Sequence, residues 1–128
     1  MKKKKTINIS KLKLKADAIF SKWIRKRDSG KCYTCSKQDE EKFMQCGHYV
    51  PRDVIELRYN EVNCHCQCVA CNVFKKGNYV IYSQKLIEEF GIKKVKELSK
   101  IYENRHADVK KYSRDFYENI IEKYGNNI

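Results

Sequence analysis

Proline is nearly missing from this chain: Pro51 is the single one among 128 residues, and no linker of any length divides the sequence. Long apolar runs are missing too, and no segment approaches the roughly 20 apolar residues of a membrane span. The run Lys2–Lys5 resembles the basic start of a secretion signal, but TINISKLKLK behind it has no apolar core, so export is not expected. No internal repeat is present. The cysteines number seven, and an odd count argues against a disulfide framework. The chain is therefore expected to stay in a reducing cytoplasm, where paired cysteines more often bind metal. Acid is scarce at the start: residues 1–31 hold twelve Lys and Arg against Asp17 and Asp28, a net +10 out of +12 for the whole chain.

What is there begins with that charge. A polyanion, most often nucleic acid, is the natural partner of such a field; the plainer reading is a solubilising tail. The length fits one domain with a modest core. Residues 1–9 form a basic arm. From Ser10, Leu12, Ala16, Ile19, Phe20, Trp23 and Ile24 recur at helical spacing, with Ser10 as cap and Gly30 as stop. The other face of this 10–30 helix is basic, and Lys22, Arg25, Lys26 and Arg27 are its candidate DNA contacts. KFMQCGHYV reads as a strand that stops at Pro51, and ELRYNEVNCHCQ as extended chain or loop. A short helix is expected from Val69 to about Lys76, interrupted by Gly77-Asn78. Asn78 then caps a helix striped by Tyr79, Tyr82, Leu86 and Phe90, which ends at Gly91. Two further helices are expected near 92–104 and 107–124. Their stripes include Val95, Leu98 and Tyr102, then Val109, Tyr112, Phe116 and Ile120. All these stripes read as core packing.

The cysteines sort by spacing. Cys32-Tyr-Thr-Cys35 and Cys68-Val-Ala-Cys71 are both C-x-x-C pairs, and each can offer two thiolates to one ion. Together they complete a four-thiolate structural Zn2+ site, with more chain inserted between the knuckles than in a short zinc ribbon. A different choice of four ligands is the competing assignment. Cys46, Cys64 and Cys66 are left over and read as small buried apolar residues. A thiol redox protein is the weakest reading, because no thioredoxin-like βαβ pattern surrounds either pair.

The inserted segment carries a family resemblance. His48-Tyr-Val-Pro51 resembles the first half of an HNH nuclease motif, Asn63 falls where such nucleases place their middle Asn, and Cys71-Asn72 resembles the start of the motif's helix. The order C-x-x-C, His, Asn, C-x-x-C-N resembles the endonuclease VII type of ββα-metal nuclease. GKCYTC, GHY, LRYNEVN, QCVACN and GNYVIY…LIEEFG together resemble the phage lambda NinG (Rap) recombination proteins, from about Lys11 to Gly91.

That resemblance implies a small ββα-metal core, which the two knuckles would staple with zinc over 31–91. With the helices read from periodicity on either side, including 92–128, which the resemblance does not reach, the expected fold is α+β and mostly helical overall. The resemblance also implies a metal-dependent endonuclease that cuts branched recombination DNA such as Holliday junctions, in the cytoplasm of a bacterial host if phage-encoded. His48 would be the general base and Asn72 a ligand of Mg2+ or Mn2+. Asn63 would hold the His48 ring or cap the loop backbone, and Arg58 and Lys76 would contact phosphate. Endonuclease VII-like sites place an Asp directly before the base, but here that residue is Gly47. His65 is the first candidate to replace it, ahead of Asp53 and Glu56. A homodimer is expected for two cuts at a four-way junction. A silent zinc-binding DNA module is the alternative that Gly47 keeps open.

Overall fold

Helix α1 (Ile9–Arg27) forms because Leu12, Ala16, Phe20 and Ile24 recur every four residues and bury one stripe. Its cap is Asn8, not Ser10: Asn8 Oδ1 accepts from Lys11 N at 2.9 Å, and Ser10 lies inside the helix. Arg25, Lys26 and Arg27 sit in the last turn, where positive charge suits the helix dipole. The chain leaves through Ser29 and Gly30, both at positive φ. Gly30 also passes so close to Asp39 that a Cβ there would lie 2.2 Å from its carbonyl oxygen. This computed structural model describes residues 7–105 and 112–126. Lys2–Lys5 and Val109 lie outside them.

Strands β1 (Gln45–His48) and β2 (Cys64–Gln67) pair antiparallel, with Gln45 opposite Gln67, Cys46 opposite Cys66, Gly47 opposite His65 and His48 opposite Cys64. β1 is shorter than the sequence suggests, because Glu41–Phe43 form a 3₁₀ turn in front of it. The segment read as extended or loop begins with a single helical turn, α2 (Ile55–Arg58), and only its end is strand. The short helix after Val69 is a π-helical turn, Ala70–Phe74. It is followed by α3 (Tyr79–Phe90), α4 (Ile92–Glu103) and α5 (Arg114–Gly125). The last helix starts later than expected, with Ser113 as its cap.

The fold is mixed α+β, mostly helical, with one small two-stranded sheet among the described residues. Among the described residues, its apolar packing falls into three clusters. α1 and α5 enclose Phe20, Tyr59, Tyr117 and Tyr124, with the Phe20 and Tyr124 rings edge-to-face at 4.9 Å. Val50, Val54, Leu57, Tyr82, Leu86, Val95 and Leu98 pack the other side of the sheet beneath α3 and α4. Cys32, Met44, Cys66, Cys68 and Cys71 form the third cluster. Among the described residues, no helix is long and apolar enough to cross a membrane.

Candidate metal centre and the cleft beside it

Each cysteine pair is presented by a tight local turn. In the first, Ser36 N donates to Cys32 O at 2.9 Å and Cys32 N to Lys37 O at 2.8 Å, with Ser36 at positive φ. In the second, Asn72 N donates to Cys68 O at 2.9 Å as the π-helical turn begins. The four sulfurs of Cys32, Cys35, Cys68 and Cys71 lie within 4.8 Å of one another. Cys35 and Cys68 Sγ are 3.6 Å apart. Tetrahedral zinc with bonds of about 2.3 Å needs sulfurs about 3.8 Å apart, so these thiols can hold an ion such as Zn2+.

Neighbouring donors favour the thiolate form of Cys32. Burial opposes ionisation of Cys32, but the Thr34 hydroxyl, 3.5 Å away, and nearby backbone groups bring its pKa down to about 6. Cys35, crowded by the other sulfurs, is pushed up to about 12 by burial first. A dication relieves that crowding. The Asn78 side chain donates to Cys71 Sγ at 3.8 Å instead of capping α3. Cys66, which spacing left over, is buried beside Cys32.

A cleft of about 640 Å³ opens beside this centre, lined by Asp17, Arg25, Gln45, His48, Arg58 and Asn72, among others. His48 Nε2 lies 2.8 Å from the Arg58 carbonyl oxygen. A carbonyl only accepts, so Nε2 carries the proton. Burial pushes the His48 pKa down, against the Arg58 hydrogen bond, which keeps the ring neutral and puts its lone pair on Nδ1. Asn72 Nδ2 donates to Gln45 Oε1 at 2.7 Å, which leaves the Asn72 carbonyl oxygen as the atom that can meet a cation.

Asn63 is fully buried and does not hold the His48 ring. Its amide donates to Val50 O at 3.0 Å and Leu57 O at 3.1 Å, and its Oδ1 accepts from Val50 N at 2.7 Å. These are the bonds of a loop cap, and they fix the backbone just before the Arg58 carbonyl. His65 does not join His48 and Asn72. Period-2 alternation next to Cys64, the partner of His48, turns it to the opposite face of the sheet. There it stacks on Tyr33 with ring centroids 3.8 Å apart, and its Nδ1 lies 3.2 Å from the Tyr82 hydroxyl. Asp53 and Glu56 are exposed and do not line the cleft. Gly47 has no room for a side chain: a Cβ would meet Gln67 Oε1 at 1.8 Å.

The acid in the cleft is Asp17, brought by α1. It takes two hydrogen bonds from Arg58, at 2.8 and 2.6 Å, and one from the Tyr59 hydroxyl at 2.8 Å. Burial raises its pKa, but those bonds outweigh burial and hold it below the usual carboxylate value. The one signal in the sequence is that Asp17 is one of only two acids in the basic first quarter.

Among the expected DNA contacts, Lys22, Lys26 and Lys76 are exposed. Arg25 lines the cleft, where its guanidinium donates to Glu41 O at 2.8 Å. Arg27 is committed to Asp28, Glu61 O and Cys64 O. Arg58 is 7% exposed and bound to Asp17 and Arg52 O, so its guanidinium serves the fold.

A family model described as "Bacteriophage Lambda NinG protein" matches residues 1–128. Protein ninG of Escherichia phage lambda is 36% identical over 110 residues, which cover 78% of this chain and 53% of that protein. Protein ninG of Salmonella phage P22 is 36% identical over 102 residues, covering 72% and 50%. Protein ninG of Escherichia phage 933W is 35% identical over 113 residues, covering 80% and 55%. The chain thus spans about half the length of the curated relatives it matches. No solved structure gives a significant match.

Proposed function

The chain belongs to the bacteriophage NinG family, and from that premise we propose that it is a metal-dependent DNA endonuclease acting on branched recombination DNA in a bacterial host cell. The observation that carries the reading is the state of His48. Its Nε2–H is tied to the Arg58 carbonyl, its ring is neutral, and its remaining lone pair belongs to a residue lining the cleft. That is what a general base needs. His48 Nδ1 takes a proton from water, the oxygen attacks phosphorus, and the 3′ oxygen leaves as an alkoxide that takes a proton from a solvent water. The order β1, β2 and then the helical turn that contains Cys71 and Asn72 supports a ββα-metal reading of the core.

The residues that would hold a catalytic cation are Asn72, through its carbonyl oxygen, and Asp17, if its carboxylate turns from Arg58. Mg2+ or Mn2+ bound there would neutralise charge on the phosphate and the leaving oxygen, while keeping several of its own waters. In this reading zinc is scaffold: the turn that ends at Cys71 also positions Asn72. Lys22, Lys26 and Lys76, with Arg25 at the cleft, would hold the DNA backbone without reading bases, which suits selection by shape. Two opposed cuts in a four-way junction would need a homodimer.

The test is Mg2+-dependent cleavage of a four-way junction against linear duplex of matched sequence. Preferential cutting of the junction is expected. No cutting of any DNA with Mg2+ or Mn2+ would overturn the reading. It would favour a silent zinc-binding DNA module, to which the lack of room for an acid at Gly47 already points.

A further inference from the structure

Two of the three cysteines outside the four-thiolate centre flank His48. We propose that Cys46, Cys64 and His48 form a second and separate metal site, for a thiophilic ion such as Zn2+, Cd2+ or Cu+. Two thiolates and His48 Nδ1 bind the ion, and a fourth position opens to the cleft. The two sulfurs and one ring nitrogen of His48 lie within 4.8 Å of one another. The sheet register produces this. His48 pairs with Cys64, and Cys46 lies two residues back on the same strand, so all three side chains share one face. The set has no residue in common with Cys32, Cys35, Cys68 and Cys71.

A second observation points the same way. A metal-binding histidine almost always donates its other ring N–H to a carbonyl or carboxylate, which fixes the free nitrogen toward the ion. His48 already does this through the 2.8 Å bond from Nε2 to Arg58 O. The hydrogen bonds of Cys64 Sγ to Leu57 O and Arg58 O are long, at 3.8 and 3.6 Å, so little is lost when it turns to a metal. Cys64 is fully buried, whereas Cys46 and His48 are partly buried and line the cleft, which gives the ion its way in.

The donor set selects the ion. Two sulfurs and an imidazole favour soft and borderline metals, and Mg2+ takes oxygen ligands instead. As the two metal–sulfur bonds form, each thiol releases one proton to solvent, and no electron is transferred. The consequence rests on the nuclease reading: an ion on Nδ1 occupies the lone pair that the base uses, so this site turns cleavage off while Mg2+ is still present.

The experiment titrates purified protein, loaded with one equivalent of zinc and kept in a phosphine reductant, with Co2+. Thiolate-to-cobalt absorption and total metal content are the readouts. Wild type is expected to take a second equivalent. Cys46→Ser is expected to stop at one; serine is close to cysteine in size and the position borders the cleft, so this variant keeps the fold, as its thermal melt will show. His48→Ala should weaken the second equivalent by about tenfold or more. One equivalent in wild type, or two in Cys46→Ser, overturns the site. Cleavage of a junction in Mg2+ should fall at least about tenfold when the second equivalent of zinc is bound to wild type, and not in Cys46→Ser. Full cleavage with that equivalent bound overturns the coupling. If wild type holds two metals yet never cuts DNA, the site stands and the nuclease reading fails.

Discussion

The proton on His48 Nε2 decides what that residue can do. Replacing it by alanine should leave DNA binding and the four-thiolate centre intact, because His48 belongs to neither knuckle. Cleavage should fall by about 10²–10⁴ at saturating DNA, the loss expected for a removed base. Burial holds the imidazolium back, so the working neutral form persists below the usual histidine range. The cleavage rate should therefore stay flat from neutrality down past about pH 6.5 and drop only further into acid. Stability carries its own pH signature. Burial first, and then the charge of Arg27, bring His65 down to about 4. The unfolded chain takes up that proton near 6.5, so the contribution is complete above pH 6.5 and is lost as pH falls toward 4. The loss amounts to on the order of 3 kcal/mol. Urea melts at fixed zinc should show a shallower acid slope for His65→Gln than for wild type. Equal slopes would mean that His65 is not kept neutral by the fold.

Elements place these residues. The two knuckles bring four thiols together across 31–72. Cys32→Ser, Cys35→Ser, Cys68→Ser and Cys71→Ser should each release the structural metal and unfold the centre of the domain. Such a site supplies on the order of 10 kcal/mol of folding free energy. Cys66→Ala, Cys46→Ser and Cys64→Ala should keep that metal, as read by metal analysis. Loss in Cys66→Ala with retention in Cys68→Ser would reverse the assignment. α1 is tied to the end of α2 by the Asp17–Arg58 pair at 2.6 Å, with the Arg58 side chain 8% exposed. Asp17→Asn leaves a buried guanidinium without its counter-charge, and should lower stability by about 3 kcal/mol. It should also disturb the Arg58 carbonyl that holds His48, so the urea midpoint and the cleavage rate should fall together. An unchanged midpoint would show that Arg58 finds another acceptor.

For the whole molecule, the charge of the first quarter would set the encounter with the DNA proposed as substrate. Replacing Lys2–Lys5 by serine should leave thermal stability unchanged and weaken DNA affinity. The slope of log affinity against log salt should flatten by up to roughly 0.9 for each phosphate that the arm no longer neutralises. An unchanged slope would make the run a solvated tail. The sequence alone determined the features with a strong local period or spacing, though not caps and single turns such as Asn8 and α2. The four-residue recurrence of Leu12, Ala16, Phe20 and Ile24 dictates α1, because one turn brings each onto the stripe of the last. The C-x-x-C spacing dictates each knuckle, because two thiols three residues apart meet in one turn. His48 and Asn72 were legible for the same reason, since motif and knuckle fix their places. What lies far apart in sequence was decided by tertiary structure. Asp17 reaches the cleft only because α1 packs against the sheet, 41 residues from Arg58. His65 and His48 lie on opposite faces because register, which no local pattern specifies, pairs His48 with Cys64. The same register sets Cys46 and Cys64 beside His48, although their spacing marked them only as small residues for a core.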